Sequence, residues 1–193
     1  MPRNVHPLTV VQLYTDYLNG LVNGLFSDSR LVSLKGPAPS LRVIACFQDG
    51  AFKSIEFGPA AHLFFHQLVE VIERPGGQQV QVQSYTYIFG LSPDREDQSA
   101  WLFRYEYERA GNPDKPHAHL HVNGTHGTGQ FDYDKLHFPT GRISVEQVFA
   151  HVVLEHDVPM RVSKAEAVDR LRESHAGFYE RRTDLRLDPP LFP

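Results

Sequence analysis

Two runs near the middle of the chain narrow what it can fold into. In QQVQVQSYTYIFGLS (78–92) apolar side chains recur at every second position: Val80 and Val82 first, then, one residue out of phase, Tyr85, Tyr87 and Phe89. In AWLFRYEYER (100–109), Trp101, Phe103, Tyr105 and Tyr107 alternate with Leu102, Arg104, Glu106 and Glu108. A period of two sends alternate side chains to opposite faces of a strand, so both runs read as half-buried strands. The phase change at Ser84 reads as a bulge or bend. The polar SPDREDQS between the runs reads as a hairpin loop.

The flanking segments supply further elements. Leu8, Val11, Leu18, Leu21, Val22 and Leu25 recur at helical spacing, predicting a first amphipathic helix that ends near Ser27. RLVSLKG, LRVIACFQ and FKSIEFG read as short strands separated by GPAPS and the turn pair Asp49-Gly50. Pro59 stands where a first helical turn tolerates it, and AAHLFFHQLVEVIERPGG places Leu63, Phe64, Leu68, Val71 and Ile72 at helical spacing before Pro75. That stretch is predicted as a helix. Ser144 with Gln147 forms a capping box before another, and Ser163 with Glu166 opens a last one running through Phe178. The expected architecture is a single α+β domain over residues 1–193, mainly an antiparallel sheet of about five to seven strands with helices on one face. The RLDPPLFP end (186–193) is expected to be a surface tail.

With 193 residues, 41% hydrophobic and 22% charged, the chain has enough apolar material for one core and is unlike a disordered segment. Its formal charge of −4 excludes a general attraction to phosphate backbones, so nucleic-acid contact needs a local basic patch. A lone cysteine, Cys46, excludes an intrachain disulfide and a cysteine-based zinc site. No apolar leader or bilayer-length run is visible, and the expectation is a cytoplasmic protein without membrane contact.

The chemistry gathers in HAHLHV (117–122). On a strand, His117, His119 and His121 share one face and Ala118, Leu120 and Val122 the other. If this strand pairs with the preceding one, Arg104 and Glu106 lie beside the imidazoles. The patch then suits proton transfer near neutral pH, and these five residues are the candidate catalytic groups. A solvated polar face fits the same pattern. One metal ion cannot take all three histidines, because His117 and His121 would lie about 13 Å apart on a strand while zinc–nitrogen bonds are about 2 Å. A metal would need an H-x-H pair with a third ligand such as Glu106, His126 or His137, which spacing does not mark. No metal and no cofactor are therefore expected.

HAHLHV also resembles the histidine-triad signature of nucleotide hydrolases and transferases, which would make His119 a phosphate-attacking nucleophile oriented by its neighbours. Asn123 and the preceding Asn112–Pro116 depart from that pattern. Over roughly residues 84 to 156, the order SYTYIFGLS, AWLFRYEYER, PHAHLHV, LHFPTGRISVEQVFAHVVLEH is similar to small bacterial proteins and to TumE-type toxins of toxin–antitoxin pairs. That resemblance implies a small α+β protein made beside an antitoxin and acting on RNA or translation. It assigns no catalytic residue. Arg142 and His137 are candidates for substrate binding, Arg142 because it precedes a helix N-terminus where backbone N–H groups attract anions. Three functions stay open: a toxin-like protein acting on RNA or translation, a histidine-triad-like nucleotide hydrolase or transferase, and a non-enzymatic module that binds an antitoxin or another protein.

Overall fold

The alternating runs become neighbouring strands in the middle of one antiparallel sheet. The computed structural model describes residues 6–75, 77–111, 115–124 and 137–180. Helix α1 (Pro7–Leu25) is followed by β1 (Leu31–Lys35), β2 (Leu41–Gln48), β3 (Ala51–Phe52), β4 (Ile55–Glu56), β5 (His62–Arg74), β6 (Gly77–Gly90), β7 (Trp101–Glu108), β8 (Ala118–Val122) and β9 (Phe138–Pro139). Helices α2 (Val145–Glu155) and α3 (Lys164–Glu180) complete the order. Seven strands lie side by side as β1-β2-β5-β6-β7-β8-β9, with β3 added to β2 and β4 to β5. This is the expected α+β class; among the described residues the count rises to nine because FKSIEFG divides into two short strands, the stretch after Pro59 is a strand, and Phe138–Pro139 adds another. Asp49 and Gly50 both take positive φ, the geometry of a two-residue hairpin turn, and join β2 to β3.

The stretch read as a helix after Pro59 is β5. It lies between β2 and β6, paired along its length with β6 from His62↔Gly90 to Arg74↔Gly77. A central strand has neighbours on both edges and apolar contacts on both faces. Leu63, Phe65 and Val69 enter the main core, while Phe64 is buried outside it. Apolar residues on both faces erase the alternation, and the remaining spacing mimics a helix. The Phe and β-branched content, favourable in strands, was the contrary signal.

The other elements follow local chemistry. Pro7 opens α1, where a missing N–H costs nothing, and the His6 ring accepts from Leu8 N. The Ser144 hydroxyl accepts from Gln147 N, and the Gln147 side chain accepts from Ser144 N, so both halves of the predicted capping box are present at α2. Ser163 accepts from Glu166 N at the start of α3. All three helices contribute to a core centred on Tyr85, Tyr87, Phe89, Phe103, Phe149 and Val152. Among the described residues no helix is long and apolar enough to cross a membrane.

Two irregularities aim the side chains. Between Leu68↔Ser84 and Val69↔Val82 the register skips Gln83, which puts Val82 on the same face as Tyr85 and Tyr87. The predicted bulge is there. A second skip, between Phe89↔Phe103 and Gly90↔Trp101, leaves Leu102 without a partner on β6. Leu102 consequently packs on the core, while the Trp101 ring lies 5.0 Å from the Arg104 guanidinium. Trp101 therefore leaves the aromatic row expected for it. Gly90 is required at this point, because a Cβ would come within 2.6 Å of Ala100 O.

Candidate metal centre

On β7, Phe103, Tyr105 and Tyr107 turn toward the helices and Arg104 and Glu106 toward the other face, which is helix-free among the described residues. The β7–β8 register sets Arg104 opposite His121 and Glu106 opposite His119, the pairing the alternation implied. β9 then pairs Pro139 with His119 and Phe138 with Leu120, which brings His137, from a distant part of the sequence, over the same two rings. The His137 ring stacks on His119 at 4.8 Å and meets His121 edge-on at 4.5 Å; His119 and His121 are 4.9 Å apart.

One carboxylate organises this cluster. Glu106 Oε2 lies 3.0 Å from His119 Nε2 and 3.3 Å from His121 Nε2, and Glu106 Oε1 lies 3.3 Å from Arg104 Nε. Arg104 Nη2 also stands 3.2 Å from His121 Nε2. Burial pushes the Glu106 carboxyl up, but Arg104, His121 and His119 outweigh it and hold the group below its ordinary value. Burial and the neighbouring His119 push His137 down, so its ring favours the neutral form that can lend a lone pair.

His119 carries the decisive geometry. Its Nδ1–H donates to Pro116 O at 3.0 Å, while its Nε2 faces the Glu106 carboxylate. A neutral imidazole has one hydrogen and cannot donate to two acceptors. The Nε2 position therefore suits a second proton or a metal cation. Nitrogens of His119, His121 and His137 lie within 4.8 Å of one another. Ligands in a tetrahedral site with arms of about 2 Å stand about 3.3 Å apart, so small side-chain rotations would close the set on one ion. The bond from His119 Nδ1 to a backbone carbonyl is also the outer contact by which metal-binding histidines are oriented. Imidazole with a nearby carboxylate fits zinc and other divalent transition metals.

Of the candidate residues, His119, His121, Glu106, Arg104 and His137 come together. His117 does not. The strand starts only at Ala118, and His117 lies exposed with Nδ1 bonded to Glu108 O and its ring against Gly111. Gly111 has φ of 76° and leaves no room for a side chain there. Arg142 lies on the opposite, helix-covered side, its guanidinium 5.3 Å from the core ring of Tyr107. His126 and the 186–193 tail are outside the described residues. The histidines are not a solvated decoration either, since His119 is 5% exposed and His121 6%. Trp101 is the neighbour that sequence reasoning missed, because its placement depends on the Leu102 bulge. The chain matches no protein-family model, no curated protein and no solved structure.

Proposed function

We propose that this cluster is a metal-dependent hydrolytic centre whose substrate is the phosphodiester of single-stranded RNA, a toxin-like activity. The observation that carries the reading is His119, with an acceptor at each ring nitrogen, and the gathering of one nitrogen each from His119, His121 and His137 within 4.8 Å of one another. His119, His121 and His137 would hold the ion, which supplies Lewis acidity and an activated water. Glu106 would take a proton from the attacking water as the water's oxygen bonds to phosphorus; the ester P–O bond would break, and Glu106 would return the proton to the leaving oxygen. Arg104 neutralises the phosphate charge, and the adjacent Trp101 offers a stacking surface for a base.

Nucleotide transfer through a phosphorylated His119 has weaker support, because both of its ring nitrogens are already engaged. An antitoxin would act by covering the helix-free face. The test is metal analysis of the purified protein, together with cleavage of a 5′-labelled RNA oligonucleotide with and without chelator. One divalent ion per chain is expected, and His137→Ala should lose both ion and cleavage. Cleavage that survives complete chelation, or a chain that binds no divalent ion, overturns the reading.

A further inference from the structure

A second site lies on the other side of the sheet. A cleft of about 540 Å³ opens between α1 and the β5–β6 hairpin and is closed at one end by the stretch from Arg142 to Glu146. That volume is within the usual range for small-molecule sites. Its apolar walls include Val10, Leu13 and Leu18 of α1 and Val80 and Val82 of β6.

Tyr85 and Tyr87 line the cleft, 3% and 1% exposed, with their rings stacked at 4.6 Å. The Tyr85 hydroxyl accepts from Ile143 N at 3.0 Å, and the Tyr87 hydroxyl accepts from Gln67 Nε2, whose own oxygen is taken by Tyr14. Each buried phenol therefore accepts a hydrogen bond, yet neither has an acceptor for its own O–H among the described residues. A buried donor without an acceptor is costly, and a ligand oxygen would relieve two of them. Burial pushes both phenols up, so they remain donors throughout the ordinary pH range. Arg142 is near enough to act electrostatically on both, and Arg74 and Arg109 also line the cleft. Among the described residues Glu146 is the carboxylate of the lining, and its Oε1 accepts from the hydroxyls of Tyr17 and Ser174.

We infer that this cleft binds a small organic anion, a carboxylate with an apolar body, whose oxygens accept from Tyr85 and Tyr87 beside Arg142 and whose body lies against the α1 wall. The site is independent of the metal centre. Its probe is octanoate, with 1-octanol as the uncharged control of similar length, read by displacement of anilinonaphthalene sulfonate fluorescence and by the melting temperature. Octanoate should displace the dye saturably at one site per chain and raise the melting temperature, while octanol should be at least tenfold weaker. Arg142→Gln and Tyr87→Phe should each weaken octanoate about tenfold or more, and His119→Ala should leave it unchanged. Arg142 is only half-buried, so Arg142→Gln remains informative if Tyr87→Phe unfolds. Equal affinity for octanol, no saturable binding, or octanoate binding unaltered by Arg142→Gln overturns the proposal.

Discussion

Strand β7 has histidines on both sides, and the two groups do opposite things. Toward the helices, His151 stacks on Phe103 at 4.5 Å and pairs with the Tyr105 hydroxyl at 3.1 Å, while His156 packs on Phe89. Toward the open face, His119 and His121 converge with His137 on Glu106. In the first group burial pushes both rings down, and aromatic contacts use them as flat packing pieces. In the second, an anion and the ring spacing leave room for a cation. The same residue type becomes structural or chemical according to whether a carboxylate or an aromatic ring meets it.

That contrast is breakable. The largest effect should come from Glu106→Gln, which keeps the shape and removes the charge: RNA cleavage should fall about 10²–10⁴-fold, whereas His151→Gln should cleave as the parent does. Equal losses in the two variants would dissolve the distinction. Metal removal comes next. Saturating ion at 100–1,000 times its Kd should stabilise the protein by about 3–4 kcal/mol, read as a chelator-sensitive shift in denaturant midpoint, and His119→Ala should abolish that shift. On the covered side, His151→Ala should destabilise by about 1–3 kcal/mol, because the partly buried Tyr105 hydroxyl loses its partner, with metal stoichiometry unchanged.

The smallest effect is a pH slope. The folded pKa values of His151 and His156 lie below the unfolded one of about 6.5, so above that pH both states are neutral and the stability is fully present. As pH falls from there through the folded values, the unfolded chain takes up protons first and stability is lost. His151→Gln should flatten this slope in urea titrations of the metal-free protein; an unchanged slope would remove His151 from the account.

Much of the open-face site was legible in advance. The period of two placed His119 and His121 on one side and Arg104 and Glu106 on one side, and a short connection made the two strands natural partners. The limit came at the strand ends. His117 keeps the alternation in writing, but the ladder begins one residue later, and its ring turns back onto Gly111. His137 was visible as one of several possible third ligands and as a candidate for substrate binding, but not as a neighbour of His119, because nothing local says which distant segment forms β9.

By itself the sequence determined what depends on near neighbours: the β6 and β7 alternation, the bulge near Ser84, the hairpin at Asp49-Gly50, the extent of α1 and the cap on α2. These follow from backbone geometry and side-chain direction over a few residues. Tertiary structure alone decided that the segment after Pro59 is a central strand, that Trp101 joins Arg104, that Arg142 serves the covered face, and that Tyr85 and Tyr87 line a cleft. Each depends on which distant surface covers a residue, and apolar burial is non-directional, so a local pattern does not specify its partner.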